Sequence, residues 1–383
     1  MVASAAPRLA MVAGEASGDL LAGLLLQGLR ARWPGLTAAG IGGPRMQAQG
    51  FDPWWPHDKL AVRGYVEVLQ HYREILGIRR RLAERLLQEP PDCFIGVDAP
   101  DFNLALEAQL KRAQVKTVHF ICPSFWAWRG ERAARLARSA DHVLCVFPFE
   151  PELLRPHGVA ATYVGHPLAD AIPLIPPREA SRKALGIADR EPLVALLPGS
   201  RKSEIASIAP VFFDTAARLY RERPTLRFVL PAAPGLGAIL EPLRLRHAPD
   251  APIQLLEGRS HEALAACDVT LIASGTATLE AALFKRPMVI AYRMNAISWQ
   301  MMKRMRYQPW VGLPNILCGE WVVPERLQGE ATATTMAADV LAWLDAPARA
   351  EALAVRFTEL HHLLRRDTAR TATDAIAKVL ATP

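Results

Sequence analysis

The chain has 383 residues, and at roughly 150 residues per domain this length predicts two domains or one large one. Hydrophobic residues make up 51% and charged residues 22% of the sequence, which excludes a disordered, fibrous or coiled-coil protein. The formal net charge is +7, from 45 Lys and Arg against 38 Asp and Glu. Because acidic residues are this plentiful, the basic excess is not typical of a histone-like protein or a nucleic-acid-binding tail.

The cysteines and the apolar runs indicate a cellular compartment. Five cysteines without a CxxC pair favour neither a disulfide framework nor a cysteine-only zinc site, so we expect a reducing cytosol. The apolar stretch near the N-terminus is short and leads directly into a patterned loop, which predicts a first strand rather than a signal peptide. No apolar run reaches the roughly 20 residues of a membrane-spanning helix. We therefore expect a soluble protein that at most binds a membrane surface.

Short apolar runs alternate with amphipathic stretches along the whole chain. The predicted strands are residues 9–13, 93–97, 117–122, 142–147, 193–197, 226–230, 269–273 and 288–292. The predicted helices include residues 20–32, 104–112, 208–221 and 277–284. Runs that are apolar on both faces and alternate with helices indicate an α/β fold, with parallel sheets covered by helices on both sides.

A proline-rich stretch at residues 172–177 divides this series near its middle. We interpret it as a linker between two α/β domains. The sequence from about Thr332 onward is rich in Ala, Leu and Arg, which predicts terminal helices. The expected organisation is thus a first domain at 1–170, a second at 171–345, and C-terminal helices at 346–383.

Two glycine-rich turns occur in the N-terminal half. The loop Gly14-Glu15-Ala16-Ser17-Gly18-Asp19 separates a predicted strand from a helix, so its backbone and the helix N-terminus suit an anion, but a simple tight turn is an equally good interpretation. It is not a Walker A loop, because no Gly-Lys-Ser/Thr follows. The turn at residues 40–45 has Arg45 where a dinucleotide fingerprint needs its third glycine. This disfavours a nicotinamide or flavin enzyme and indicates a second glycine turn beside the first.

A pair of carboxylates follows the predicted strand at 93–97. Because ligands bind at the carboxyl ends of parallel strands, Asp98 is our candidate general base. Asp101 precedes a helical stretch, so we assign it to helix capping.

The aromatic segment 119–129 follows the next strand. Its rings could stack on a sugar, line an acyl pocket or simply pack in the core. His119 lies within an apolar strand, and no HExxH or comparable metal spacing occurs, so we interpret His119 as a core histidine and expect no metal.

Two further loops follow strands in the second half. Gly199, Ser200 and Arg201 follow the strand at 193–197, and free amides with a guanidinium suit a diphosphate. Gly275 and Thr276 follow the strand at 269–273, and Glu280, about one turn later, could accept hydrogen bonds from ribose hydroxyls. Either loop alone could be a capped turn. Together they favour a nucleoside diphosphate ligand.

Two segments combine apolar and basic residues, as an interfacial amphipathic helix does. In the first, Arg73 and the basic run 79–81 accompany an apolar stripe; a core stripe beside a solvated basic face is the alternative. The second covers residues 299–306. The candidate membrane or acyl contacts are Val66, Val68, Leu69, Tyr72, Ile75, Leu76, Trp299 and Met302.

Seven motifs together resemble the lipid-A-disaccharide synthase family. They occur in the family's order and spacing between about residues 9 and 330. They are GEASGD (14–19), GIGGPRM (40–46), VDAPDFN (97–103), CPSFWAWR (122–129), LPGSR (197–201), ASGTATLE (273–280) and LPNIL (313–317).

The resemblance implies a hexosyltransferase of the GT-B type, with two Rossmann-like parallel-sheet domains facing a cleft and C-terminal helices. It implies an inverting reaction without a metal or other cofactor, between UDP-2,3-diacylglucosamine and 2,3-diacylglucosamine 1-phosphate (lipid X). The products are a β-1,6-linked disaccharide phosphate and UDP. The resemblance also implies that the enzyme acts at the cytoplasmic face of the inner membrane of Gram-negative bacteria. It further implies a homodimer that exchanges C-terminal segments.

The resemblance assigns roles to residues that match its motifs. Asp98 matches the family's catalytic aspartate, and Glu15 is the next candidate for the base. The expected donor-binding residues are Gly14, Glu15, Ser17, Gly18, Gly199, Ser200, Arg201, Gly275, Thr276, Glu280 and Asn315. Phe125 stands where the family often has an aliphatic or other residue. Two alternatives stay open: another GT-B enzyme acting on UDP-N-acetylglucosamine, namely a peptidoglycan transferase or a 2-epimerase, and a non-catalytic nucleotide-sugar or lipid-binding protein.

Overall fold

The computed structural model describes residues 6–14, 16–56, 60, 65–125, 131–294, 299–300 and 309–382, without the side chains of residues 16, 65–72, 131–132 and 203. The chain divides into two compact units. The first comprises Met1–Asp170 and Leu363–Pro383, and the second comprises Ala171–His362. The boundary between the two units at residues 170 and 171 therefore falls directly before the proline-rich stretch at 172–177.

The first unit is built on a parallel sheet with strand order β3-β2-β1-β4-β5-β6-β7. Its strands are β1 (Arg8–Ala13), β2 (Thr37–Gly42), β3 (Asp52–Pro56), β4 (Cys93–Val97), β5 (Lys116–Phe120), β6 (His142–Cys145) and β7 (Ala161–Tyr163). Its helices are α1 (Ala16–Arg32), α2 (Pro44–Gln47), α3 (Tyr65–Gln88), α4 (Pro100–Arg112), α5 (Glu131–Ser139), α6 (Glu150–Leu154) and α7 (Pro167–Ala171), the last of which ends at the division between the units.

The second unit repeats this plan with strand order β10-β9-β8-β11-β12-β13. Its strands are β8 (Leu193–Leu197), β9 (Arg227–Ala232), β10 (Ile253–Glu257), β11 (Val269–Ala273), β12 (Met288–Tyr292) and β13 (Glu325–Leu327). Its helices are α8 (Arg178–Leu185), α9 (Lys202–Glu222), α10 (Gly237–His247), α11 (Ser260–Ala266), α12 (Thr276–Leu283), α13 (Leu313–Cys318), α14 (Ala333–Leu344) and α15 (Pro347–Leu364), and α16 (Thr368–Ala381) follows in the first unit.

The central strands are apolar because helices cover both faces of each sheet. Every residue of β4, β8 and β11 is buried, as expected for the middle of a parallel sheet. In the first unit, residues of β1, β4, α3 and α4 share one core. That core contains Ala10, Val12, Ile41, Ile78, Leu82, Ala83, Leu86, Phe94, Phe102, Leu106, Leu110 and Val115.

Each sheet reverses its strand order at one point. In the first unit, β1 pairs on one side with β2 and on the other with β4. In the second unit, β8 lies between β9 and β11 in the same way. Such a switch point opens a crevice beyond the carboxyl ends of the two strands, and this is where ligands bind in doubly wound folds.

The predicted C-terminal segment 346–383 is shared between the units instead of forming one piece. Most of α15 belongs to the second unit, where the Nζ of Lys285 lies 2.6 Å from the Nδ1 of His361. Helix α16 belongs to the first unit, where Asp374 pairs with Arg32 of α1 at 3.1 Å. Asp170 accepts hydrogen bonds from the first amides of this segment, those of Asp367 and Thr368.

None of the helices in the described part of the chain combines the length and apolar character needed to cross a bilayer.

A buried histidine lies after β7. His166 is 5% exposed, its Nδ1 accepts a hydrogen bond from the amide of Leu168 at 3.2 Å, and its ring stacks on Phe147. Burial lowers the pKa of His166 to about 4 from an ordinary value of 6.5. Between about pH 4 and pH 6.5, the unfolded chain therefore carries a proton on His166 that the folded chain does not carry.

This difference makes stability depend on pH. The contribution of a neutral His166 is complete above about pH 6.5 and is lost as the pH falls toward 4. We expect His166→Asn, whose side-chain oxygen can still accept from Leu168, to lose less stability on acidification than the wild type. The difference should be on the order of 2 kcal/mol at about pH 5, measured by urea unfolding.

His157→Asn is the matched control, because His157 is exposed on the surface of the same unit. Parallel pH curves for the wild type and His166→Asn would contradict the prediction.

Candidate functional site

The turn between β4 and α4 holds Asp98 in an unusual backbone conformation. Asp98 and Ala99 both have left-handed φ angles, 51° and 43°. Two consecutive non-glycine residues in this region cost about 1–3 kcal/mol each. The amide of Asp98 donates to the carbonyl of Phe120 at 2.9 Å, and its own carbonyl accepts from the Nδ2 of Asn103 at 2.8 Å. The surroundings thus fix a partly exposed carboxylate at the switch point of the first sheet.

The structure corrects the assignment of Asp101 to helix capping. Helix α4 begins at Pro100, its cap position is Ala99, and no side chain caps it. Asp101 instead lies in the first turn, where its charge favours the positive end of the helix dipole. The helix therefore begins two residues earlier than a cap at Asp101 would place it, and proline suits that first position.

The loop after β1 lies against this turn. A Cβ built on Gly14 would lie 3.1 Å from the Cβ of Ala99, and one on Gly18 would lie 3.9 Å from the carbonyl oxygen of Val97. The predicted site residues Gly14, Ser17 and Gly18 thus lie beside Asp98. Ser17 is half-buried and both glycines are buried. Glu15 lies outside the described residues.

Asp19, the last residue of the same motif, ties the two glycine turns together. Its buried carboxylate accepts hydrogen bonds from the amides of Gly43, Arg45 and Met46 at 2.8–3.1 Å. Residues 40–42 form the end of β2 rather than a turn, so the prediction of a glycine turn at 40–45 is wrong in its bounds, but the junction of β2 and α2 at Gly43 does lie beside the first loop. This role of Asp19 was not predicted from the sequence, although the motif contains the residue.

A buried ion-pair geometry lies below Asp98. The Nδ1 of His119 is 2.7 Å from the Oε1 of Glu107, and both side chains are fully buried. His119 is therefore part of the core, as interpreted, but it has a carboxylate partner that the sequence analysis missed. In the aromatic segment, Cys122 and Phe125 are buried, and the two tryptophans lie outside the described residues.

Cys122, Cys145 and Glu150 form a buried cluster at the ends of β5 and β6. The hydrogen bond to Cys145 raises the pKa of Cys122, and burial adds to it. The same bond is the largest effect on Cys145 and lowers its pKa, but burial and the charge of Glu150 together outweigh it, so the net shift of this pKa is upward. Glu150 accepts from the amides of Val146 and Phe147. The carboxylate of Glu150 thus caps this turn, and the expectation of no metal stays a prediction.

In the second unit, the loop after β8 is folded around an acidic side chain. Gly199 has a φ of 109°, and a Cβ there would lie 2.7 Å from the Oε2 of Glu204. The other oxygen of Glu204 pairs with Arg201 at 2.6 Å. Ser200 is exposed and Arg201 is half-buried. Glu204 thus orients the predicted diphosphate-binding arginine, a role that was not predicted from the sequence.

The loop after β11 presents its backbone to solvent. Gly275 and Thr276 are exposed, and Gly275 has φ 153° and ψ −165°, a region that is essentially restricted to glycine. Helix α12 begins at Thr276, so its first amides have no partner within the helix and suit an anion. Glu280 follows one turn later, and its Oε2 lies 3.4 Å from the Nε2 of His261.

Asn315 has a supporting position rather than an exposed one. It is fully buried, and its Nδ2 donates to the carbonyl of Val323 and to Glu325. Its oxygen accepts from the amides of Val322 and Val323. These hydrogen bonds occupy both polar atoms of the Asn315 side chain, which argues against the predicted direct contact with the donor substrate.

Glu325 connects this network to the loop after β11. It accepts from the amides of Val311 and Gly312, and the Oγ of Ser274 donates to the carbonyl of Val311. Asn315 and Glu325 therefore hold the segment that lies beside Gly275.

The predicted membrane helix is confirmed as a helix, and part of its stripe belongs to the core. Ile78, Leu82 and Leu86 of α3 are buried, and the partly buried Ile75 packs against the same core, so its predicted membrane contact stays a prediction. Leu76 and Trp299 are half-buried. For the other candidates, the side chains of Val66, Val68, Leu69 and Tyr72 are not described, and Met302 lies outside the described residues.

The predicted site residues thus form two groups. Gly14, Ser17, Gly18 and Asp98 surround the switch point of the first unit, and the remaining described residues surround that of the second. Both groups lie at the crevice beyond the carboxyl ends of parallel strands, where doubly wound folds bind their ligands.

Two solved structures show which fold this is. The chain superimposes on UDP-GlcNAc 2-epimerase from Neisseria meningitidis with a TM-score of 0.66 and 12% identity, covering 97% of this chain and 99% of that one. It superimposes on the calicheamicin glycosyltransferase CalG4 with a TM-score of 0.61 and 15% identity, covering 98% of both chains. The fold is therefore that of the GT-B glycosyltransferases and epimerases, as predicted.

Sequence similarity identifies the family. The family described as lipid-A-disaccharide synthetase matches residues 9–379. The lipid-A-disaccharide synthase of Albidiferax ferrireducens is 60% identical over 378 residues, 97% of each chain. That of Burkholderia pseudomallei is 54% identical over 375 residues, 97% of this chain and 96% of the relative. The chain belongs to the lipid-A-disaccharide synthetase family, and the prediction from its seven motifs is confirmed.

The backbone of Gly275 gives a test of the second loop. A Cβ at this position would meet nothing within 4 Å, so Gly275→Ala introduces backbone strain without a clash. We expect a loss of about 1–3 kcal/mol in the free energy of unfolding, measured with urea.

Gly319→Ala is the matched control, since Gly319 also has open space around it but a φ of 68°, which costs alanine only about 1–2 kcal/mol. Equal stability of Gly275→Ala and wild type would contradict the assigned backbone conformation.

Proposed function

We propose that this protein is an inverting glycosyltransferase of lipid A biosynthesis. It joins UDP-2,3-diacylglucosamine to 2,3-diacylglucosamine 1-phosphate and releases UDP and the β-1,6-linked disaccharide 1-phosphate. The observation that carries the proposal is the carboxylate of Asp98, held at the switch point of the first sheet in a chain that matches the family from residue 9 to residue 379.

The chemistry requires a base and a stabilised leaving group. Asp98 accepts the proton of the acceptor's 6-hydroxyl as its oxygen attacks the anomeric carbon of the donor. The new bond forms on the face opposite the departing diphosphate, so the configuration inverts. The bond between the anomeric carbon and the diphosphate oxygen breaks with its electron pair, and UDP leaves.

The second unit supplies groups for the leaving diphosphate. The amides around Gly199, Ser200, Gly275 and Thr276 and the guanidinium of Arg201 would stabilise the negative charge that develops on it. Glu280 would accept from the ribose hydroxyls. Since cationic and amide donors meet this need, we propose that the reaction uses no metal or other cofactor.

The two predicted alternatives lead to different products. A peptidoglycan transferase or a 2-epimerase would consume UDP-N-acetylglucosamine, and a binding protein would turn over neither substrate. The full-length similarity to lipid-A-disaccharide synthases favours the acylated pair. Mass spectrometry of purified protein incubated with UDP-2,3-diacylglucosamine and lipid X should detect the disaccharide phosphate. Turnover of UDP-N-acetylglucosamine without that product would refute the proposal.

Substitution of the base should separate catalysis from binding. We expect Asp98→Asn to lower kcat by at least about 100-fold, because the amide cannot take the proton. UDP binding, measured by calorimetry, should stay within about twofold of wild type, because the diphosphate groups lie in the other unit.

Asp101→Asn is the control, since Asp101 lies in the first turn of the same helix and has no proposed role in proton transfer. Retained transfer by Asp98→Asn would move the base elsewhere, with Glu15 as the next candidate.

We further propose that the protein binds the cytoplasmic face of the inner membrane of a Gram-negative bacterium, through α3 and the segment 299–306. Arg73, Arg80 and Arg81 are exposed on α3, where they would meet anionic headgroups. The excess charge of +7 accords with such a surface. We also propose a homodimer that exchanges its C-terminal segments; the packing of α16 on α1 would then form between subunits.

Membrane binding can be tested by substitution of three apolar residues of the stripe. We expect Val66→Ser, Leu69→Ser and Leu76→Ser together to reduce cosedimentation with phosphatidylethanolamine–phosphatidylglycerol vesicles about 10-fold or more, because each removes apolar area from the lipid boundary. The melting temperature should change little.

Leu153→Ser makes the same chemical change at an exposed leucine of α6 and should leave vesicle binding unchanged. Unaltered binding of the triple variant, with reduced thermal stability, would assign the stripe to the core.

A further inference from the structure

Three fully buried polar side chains lie beneath the turn that carries Asp98. They are Asn103 and Glu107 on α4 and His119 on β5, each with 0% exposure. Asn103 and Glu107 are one helical turn apart, so they lie on the same face of α4. The reaction described above uses none of the three.

Gly96 allows this group to approach the sheet. Gly96 of β4 pairs in register with His119 of β5, and a Cβ on Gly96 would overlap the carboxylate of Glu107. The same Cβ would lie 3.0 Å from the Cβ and Cγ of Asn103. Glu107 and Asn103 thus both rest directly on the backbone of β4 at Gly96, two residues before Asp98.

Asn103 connects the group to Asp98. Its Nδ2 donates to the carbonyl of Asp98 at 2.8 Å and also lies 3.4 Å from the carbonyls of Val97 and Val12. It therefore spans the ends of β4 and β1. The amide of Asp98 is held from the other side by the carbonyl of Phe120, one residue beyond His119.

These side chains are a poor solution for stability alone. Within the described part of the chain, Asn103 Oδ1, Glu107 Oε2 and His119 Nε2 make no hydrogen bond although they are buried. Buried polar atoms without partners are costly, and a buried ion pair is often no more stabilising than apolar residues of similar size. The group is thus better explained by what it holds in place.

We propose that Asn103 and the Glu107–His119 pair are positioning residues for Asp98, which rests on the proposed function of Asp98 as the base. His119 fixes the carboxylate of Glu107, Glu107 fixes α4 over Gly96, and Asn103 fixes the carbonyl of Asp98. Together they hold two consecutive left-handed residues in place. The direction of the Asp98 carboxylate toward the acceptor hydroxyl follows from that backbone.

The decisive variant replaces the pair by apolar residues, Glu107→Met with His119→Leu. Because the core stays filled, we expect a melting temperature within about 3 °C of wild type. We expect kcat to fall about 100-fold, the effect of a misplaced catalytic group, with KM for both substrates within about twofold. Asn103→Ala should likewise lower kcat while KM stays nearly unchanged. This single variant replaces the double variant in the test if the double variant does not fold.

Two further variants separate positioning from packing. His119→Asn, whose amide can still donate to Glu107, should keep kcat within about threefold of wild type. Thr117→Val removes buried hydrogen bonds to Ser139 and Asp141 at the far end of β5. It should lower the melting temperature and leave kcat unchanged.

Unchanged kcat in the double variant and in Asn103→Ala would overturn the proposal. The proposal would also be overturned if Thr117→Val lost kcat in the same proportion to its loss of melting temperature as the other variants do. Failure of the proposed function is distinguishable, because then the wild-type protein itself forms no disaccharide from the acylated pair.

Discussion

Parallel pairing of buried strands is the constraint on which both units depend. Parallel neighbours need a crossover, so every strand is followed by a helix that must cover the sheet. All loops after strands then lie at one edge, and a reversal of strand order leaves two of them next to each other without a crossing chain. This places Gly14 beside Ala99 in the first unit and the loop of Gly275 opposite that of Gly199 across the β8–β11 pair. Neither pair of residues is close in sequence.

Several carboxylates in or near the motifs support the loops rather than face a ligand. Asp19 binds three amides of the second glycine turn, and Glu325 binds two amides next to Asn315. Glu204 holds Arg201 and fills the space that Gly199 leaves. A carboxylate that accepts several amides makes a loop rigid without secondary structure. The glycines present the backbone, and the acids keep it in one conformation.

The sequence predicted the central strands well and the edges poorly. The predicted strands 93–97, 193–197, 269–273 and 288–292 are confirmed with those bounds, because a strand buried on both faces is a continuous apolar run. Strands β3, with two prolines, and β10, with exposed polar residues, lack that pattern and were missed.

The same distinction applies to the candidate site. Asp98 was predictable because it follows a buried strand in a motif. The contacts of Asn103 and Glu107 with Gly96 were not, because they depend on how closely α4 lies on the sheet. The position of Asp101 was misjudged for a local reason, since no sequence rule anticipates two left-handed non-glycine residues in succession.

The division of the chain has a consequence for biosynthesis. The first unit is completed only by α16, whose Ala369 packs so closely on α1 that a Cβ at Gly28 would lie 2.7 Å from its carbonyl oxygen. The second unit, in contrast, is continuous from Ala171 to His362. During translation the second unit can therefore finish folding first, although it is synthesised later. The unit that carries Asp98 stays open along α1 until α16 has been synthesised, and a chain truncated before α16 would carry the candidate base on an unfinished scaffold.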